Sequence, residues 1–269
     1  MFEALKEIDH ITDWIRDYFK GTDAPAVIGI SGGKDSSIAA AICSAALGPE
    51  RVFGVLMPQG DQHDIAVARE LCEYLGIRYM ETNIEDACRA TYGAINSAYR
   101  PVSDEGFNCL DYDIVITNTP ARVRMTILYA IAGMLGGRVV NTCNLSEDYV
   151  GYSTKFGDAA GDFSPLANYT VREVKQIGYR LLPRKFVDKT PEDGMSGKSD
   201  EEKLGFTYAE LDDYILYNEI PNDAEVLRKI IKAHANSEHK RVPMPTCPKR
   251  CLERGDIEEM KNGEITFCE

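Results

Sequence analysis

The segment Gly29-Ile30-Ser31-Gly32-Gly33-Lys34-Asp35-Ser36-Ser37 holds the residues whose types and spacing are best suited to chemistry. Its paired glycines permit unusual backbone angles and let the chain approach a ligand closely. The residues that follow read as the start of a helix, whose free amides and dipole favour an anion such as phosphate. Ser31, Ser36 and Ser37 add hydroxyl donors. Asp35 conflicts with a purely anion-binding loop, because a carboxylate repels phosphate. A bound magnesium ion removes the conflict, since it takes carboxylate and phosphate oxygens together. The lysine directly follows the glycines, which departs from the nucleoside-triphosphate loop G-x-x-x-x-G-K-[ST], and the dinucleotide fingerprint G-x-G-x-x-G is absent. An ordinary glycine turn with Asp35 as a helix cap is the plain alternative.

The elements around this segment explain how it would be held. Phe2, Leu5, Ile8, Ile11, Ile15 and Phe19 recur at helical spacing, so residues 2–19 form an amphipathic helix. Residues 26–30 read as a buried strand and 35–47 as a helix closed by Gly48-Pro49. The pattern repeats with strands at 51–57, 77–82 and 138–142 and helices at 63–75, 84–99, 118–135 and 171–182. Alternating strands and helices imply an α/β fold, an open and mostly parallel twisted sheet with helices on both faces. Ligands of such sheets bind at the carboxyl ends of strands, near a switch in strand order. The phosphate loop leaves such a carboxyl end, and the segment carrying Glu147 follows another; a solvated helix-cap acid is the plain reading of Glu147 there.

The chain has 269 residues, and 44% of them are hydrophobic, enough for a sizeable core. No linker or repeat marks a boundary, so 1–269 is expected to be one domain. The net charge of −13 argues against a nucleic-acid partner, which needs a basic surface. A small anionic substrate remains compatible if cations or a metal cluster locally. Residues 1–20 lack an apolar signal region and no stretch reads as a membrane span, so a soluble, cytoplasmic protein is expected. The eight cysteines suggest no disulfide framework. Cys247 and Cys251 have the spacing of one metal-ligand pair but lack a second pair.

Ser-Gly-Gly-x-Asp-Ser after a buried strand resembles the pyrophosphate loop of the N-type ATP pyrophosphatases, whose fold is the adenine nucleotide alpha hydrolase type. Downstream motifs narrow the resemblance to the ammonia-dependent NAD synthetases. Asn118-Thr-Pro-Ala-Arg122-Val-Arg124-Met125 resembles their N-x-x-A-R-x-R-M segment. Glu147 followed by Gly151, Thr154-Lys155, Gly157-Asp158 and Asp162 resembles their E-x-x-x-G-x-x-T-K-x-G-D-x-x-x-D loop. Ser199-Asp-Glu-Glu-Lys-Leu-Gly205, Tyr208, Leu211-Asp212 and the closing Glu238-His239-Lys240-Arg241 also match. There are departures. Val171 stands where many members carry a lysine, so that phosphate contact is missing or passes to Arg172 or Lys175. Leu56-Met57-Pro58 lacks an arginine found near the adenine in many members, and Lys189 to Asp193 differs from the usual pattern.

The resemblance implies that ATP lies on Gly29, Ser31, Gly32, Gly33, Lys34, Asp35, Ser36 and Ser37, with Met57 and Thr142 beside it. It implies Mg2+ on Asp35 and Glu147, and Asp35, Glu147 and Lys155 as the catalytic set. Arg122, Lys155, Asp158, Asp162, His239 and Lys240 would bind deamido-NAD. ATP would be split to AMP and pyrophosphate through an acyl-adenylate, which ammonia converts to the amide of NAD. No cysteine is placed as a glutaminase nucleophile, so ammonia is expected to arrive free or from a partner. A homodimer with the dinucleotide site at its interface is implied, through the first helix and the helix at 118–135. Rival readings are a GMP-synthetase-like amidation, a tRNA thiolase, which the acidic charge disfavours, and a non-catalytic nucleotide-binding regulator.

Overall fold

A computed structural model describes residues 2–62, 65–104, 112–188 and 199–247. The first half alternates as the sequence predicts. Helix α1 (Ala4–Tyr18) precedes β1 (Ala26–Gly29), α2 (Lys34–Leu47), β2 (Val52–Leu56), α3 (Ile65–Leu75) and β3 (Arg78–Glu81). A helical pair, α4 (Glu85–Asp104) and α5 (Tyr112–Leu135), leads to the two-residue strand β4 (Arg138–Val139). Short helices follow: α6 (Leu145–Val150), α7 (Val171–Leu181), α8 (Arg184–Val187), α9 (Asp200–Leu204), α10 (Tyr208–Tyr217), α11 (Ala224–Asn236) and α12 (Glu238–Arg241).

The four strands are all parallel in the order β3-β2-β1-β4. The chain moves outward from β1 to β3 and then returns to the far side of β1 as β4. The switch in strand order therefore lies between β1 and β4, and ligands of open α/β sheets bind at the carboxyl ends beside such a switch. Side-chain alternation along β1 feeds both faces: Ala26, Ile28 and Ile30 enter a core with α1, α2 and α7, while Val27 enters a second core with α4 and α5. A third cluster, including Val150, Val171, Phe206, Tyr208, Leu211 and Ile230, anchors the C-terminal helices to α6 and α7. No helix among the described residues is long and apolar enough to cross a membrane.

Three elements differ from the sequence reading. Helix α4 runs on to Asp104 instead of ending at residue 99. Helix α5 starts at Tyr112 instead of Asn118 and carries Pro120 inside it. A proline there removes the amide that would bond the carbonyl of Ile116. The Tyr92 hydroxyl on α4 donates to that carbonyl at 2.9 Å, so the neighbouring helix makes good the lost bond. Strand β4 ends at Val139, not Thr142. Beyond it the backbone pairs with the returning loop: Val140 bridges Phe163, and the Asn141 amide donates to the Phe163 carbonyl at 2.9 Å. His63, Cys109, Lys189 to Asp193, Cys251 and Cys268 lie outside the described residues, and with them the second half of the Cys247–Cys251 pair.

The Glu238–Arg241 segment is pinned to α6. The Arg241 guanidinium donates to the carbonyls of Tyr149 at 3.1 Å and His234 at 2.6 Å, two of the carbonyls that helix ends leave unpaired. Gly151 closes α6 with φ of 65°, and a Cβ there would lie 2.0 Å from the Ser237 Cβ. Gly151→Ala therefore combines left-handed strain with a backbone-level clash, and roughly 3 kcal/mol of stability should be lost. Urea unfolding of the variant against the parent measures this; an unchanged midpoint would contradict the packing.

Candidate active site

The phosphate loop crosses from β1 to α2. Gly29 ends β1, and Gly32 takes φ of +78°, a conformation side chains disfavour. The loop is laced by its own hydroxyls. Ser31 and Ser36 Oγ atoms are 3.1 Å apart, the Gly33 amide donates to Ser31 Oγ at 3.1 Å, and Ser37 Oγ donates to the Gly33 carbonyl at 2.7 Å. Lys34 and Asp35 open α2 with adjacent side chains joined, Lys34 Nζ to Asp35 Oδ2 at 2.6 Å.

Across the switch, Asn144 caps α6. Its Oδ1 accepts from the Glu147 amide at 3.1 Å, and the Glu147 carboxylate reaches back to the Asn144 amide, a reciprocal capping box. The other end of the same carboxamide donates to Asp35 Oδ1 at 3.1 Å. A fully buried Asn144 therefore links the loop after β1 to the helix after β4, and sets Asp35 beside Glu147. Asn144 was not singled out from sequence, although Asn144-Leu-Ser-Glu147 carries the capping-box spacing that marks it.

The electrostatics follow from this enclosure. Burial, reinforced by Asp35, pushes the Glu147 carboxyl up to about 8, while Lys34 pulls it back. Desolvation opposes the charge on Lys34, which is 3% exposed, but Asp35, Glu147 and Asp200 outweigh it and hold its pKa above the ordinary value. The Tyr208 ring lies 5.9 Å below the ammonium, and the Tyr208 hydroxyl is buried without a hydrogen-bond partner among the described residues. Burial, with Glu147, Asp200 and Asp35 nearby, raises that hydroxyl's pKa and keeps it a donor. Asp200 itself accepts from the Tyr152 hydroxyl at 2.7 Å.

These groups suit magnesium. Asp35 and Glu147 offer hard oxygen ligands, and the orphaned Tyr208 hydroxyl leaves a donor for a further oxygen. Among the described residues no three His, Cys, Asp or Glu side chains converge on one ion. Two carboxylates fit an ion completed by substrate phosphates and water better than a closed protein cage.

A second group surrounds residues 151–158. Asn118 Oδ1 accepts from Thr154 Oγ1 at 2.8 Å, Ala121 packs where Gly157 lacks a side chain, and Arg122 Nε donates to the Lys155 carbonyl at 3.4 Å. Arg124, two residues on, donates to the Met57 carbonyl at 3.1 Å. One helical segment thus ties the end of β2 to the Thr154–Asp158 loop, and puts an arginine beside Met57, where the sequence of β2 has none. Lys240 Nζ donates to the carbonyls of Gly151 and Ser153 at 2.6 and 2.9 Å, and Lys155 Nζ donates to the His239 carbonyl. The His239 side chain is exposed. Asp158 accepts from the Thr154 amide at 2.8 Å.

Asp162 Oδ2 accepts from the Val139 amide at 2.7 Å along the sheet edge, apart from the Asp35–Glu147 pair. Thr142 is half-buried between Asn141 and Cys143, at the exit from β4. Val171 is buried in the cluster that holds Tyr208, and Arg172 pairs with Asp213 at 2.6 Å. The buried cation near that cluster is Lys34.

The sequence profile described as NAD synthase matches residues 7–244. The chain belongs to the NAD synthase family. The NH(3)-dependent NAD(+) synthetase of Methanocaldococcus jannaschii is 35% identical over 262 residues, covering 91% of this chain and 97% of that protein. Among solved structures, the NMN synthetase from Francisella tularensis superposes with a TM-score of 0.78 at 31% identity, covering 92% of this chain and 99% of that one. The NAD+ synthetase from Burkholderia pseudomallei gives 0.71 at 29% identity, covering 90% and 91%. The expected fold class and family are thereby established for this NAD synthase.

Asn144→Ala removes both a helix cap and the tie to Asp35. It should lower stability by about 1–2 kcal/mol in urea unfolding. An unaltered midpoint would show that the tie is not energetically engaged.

Proposed function

We propose that this protein makes NAD by amidating deamido-NAD with ammonia, driven by cleavage of ATP to AMP and pyrophosphate. The observation that carries the reading is the junction at the β1/β4 switch: Ser31 to Ser37, Lys34, Asp35 and Glu147 face one another, held by Asn144. The loop amides and hydroxyls, with Lys34, take the triphosphate. Asp35 and Glu147 hold Mg2+, which when bound neutralises the phosphates. Met57 and Thr142 border the adenosine, with Arg124 beside Met57.

The nicotinate carboxylate of deamido-NAD attacks the α-phosphorus, and pyrophosphate leaves. Ammonia then attacks the acyl carbon of the adenylate, gives up a proton, and releases AMP with NAD. No nucleophilic side chain is needed; the chain contributes charge and position. Arg122, Lys155, Asp158, Asp162, His239 and Lys240 line the dinucleotide side, and Asp162 also holds the sheet edge through the Val139 amide. Residues 1–269 act as one domain, in the cytoplasm, as a homodimer with the dinucleotide site at the interface. Exposed apolar side chains on α1 (Leu5, Trp14) and α5 (Met134, Leu135) support that surface.

A second reading is favoured by the TM-score of 0.78 with an NMN synthetase: the acceptor is the nicotinate mononucleotide instead of the dinucleotide. One assay tests both. With ATP, Mg2+ and ammonium, deamido-NAD should yield NAD and AMP in equal amounts, at a higher kcat/KM than the mononucleotide. Faster turnover of the mononucleotide would favour the second reading, and ADP without AMP would exclude both.

A further inference from the structure

Lys34 is an unusual neighbour for a metal site. Its ammonium is 3% exposed and sits 2.6 Å from Asp35 Oδ2, one of the carboxylates assigned to Mg2+. Glu147 and Asp200 face the same ammonium. The other Asp35 oxygen is taken by Asn144. Both oxygens of Asp35 therefore already have a donor, one of them a full positive charge. A divalent ion that takes the Oδ2 position must first displace that charge.

We propose that Lys34 is a resident countercation of the metal site, which competes with the divalent ion for Asp35 and transfers to the ATP phosphates when the ion enters. The inference rests on the reading of Asp35 as a magnesium ligand. Three features support it. Lys34 and Asp35 are consecutive in the first turn of α2, so a rotamer change moves the ammonium without moving the backbone. The Tyr208 ring supports the ammonium from below at 5.9 Å. The hydroxyl of that tyrosine is buried without a partner among the described residues, a donor that their groups leave unused. The consequence is ordering: the ion binds weakly to the protein alone and strongly together with ATP, whose phosphates receive the displaced lysine.

The test uses Mn2+ as a spectroscopic stand-in for Mg2+, counted as free aquo ion by electron paramagnetic resonance, on the full chain without ATP. Lys34→Gln should bind Mn2+ about tenfold more tightly than the parent, because the competing charge is gone. The KM for ATP should rise in the same variant. Equal or weaker Mn2+ binding by Lys34→Gln would overturn the proposal. Lys34→Met provides a second uncharged variant. Its melting temperature should gain more from Mn2+ than the parent's does, and an equal gain counts against competition. Asp35→Asn separates the two readings. If it binds Mn2+ as the parent does, the metal is not on Asp35 and the magnesium assignment itself fails. If it loses Mn2+ while Lys34→Gln leaves binding unchanged, only the competition fails.

Discussion

One buried carboxamide joins the two halves of this site. Asn144 caps α6 with its oxygen and holds Asp35 with its nitrogen, so the loops after β1 and β4 cannot settle independently. Burial raises the Glu147 carboxyl to about 8, and the repulsion of the neighbouring Asp35 adds to the rise. The arrangement stands because Lys34 lies between them in charge and Asn144 in hydrogen bonding. On the proposed function, a site that concentrates carboxylates and then receives a triphosphate needs cations. This acidic chain supplies them locally, not through its overall balance.

The rest of the fold serves that junction. Parallel strands put the two loops on one side of the sheet, and the reversal of strand order sets them on either side of the switch. Helix α5 then fastens the second loop: within seven residues, Asn118, Ala121, Arg122 and Arg124 touch Thr154, Gly157, Lys155 and Met57. Farther along, Arg241 and Lys240 clasp the end of α6 and the start of that loop. Most of the family motifs are thus interlocking contacts among loops, with a smaller number of groups left to meet ligands.

Much of this was legible in the sequence. The buried strands β1 and β2 read as short apolar runs, whereas β3 is largely exposed, and Gly32-Gly33 before a helix reads as a tight turn. The resemblance paired the acid in that turn with Glu147, and the structure links the two through Asn144. What stayed hidden depended on partners distant in sequence. Pro120 marks a helix start by local rules, yet Tyr92 lets the helix continue past it. Asn144 looks like a helix cap whose second bond, 109 residues away, has no local sign. Asp162 accepts from the Val139 amide, a bond that no spacing announces. The C-terminal helices are short and polar, though capping boxes at Thr170, Ser199 and Thr207 mark three of their starts.

The account's central claim is that Asp35 and Glu147 act as one ion-holding unit across the β1/β4 switch. A double-mutant cycle on AMP formation, with Asp35→Asn, Glu147→Gln and the pair together, tests it most directly. The account predicts that each single change costs about a hundredfold or more in kcat/KM, and that the double variant is little worse than the poorer single. Losses that multiply, or a Glu147→Gln variant with parental activity, would contradict it.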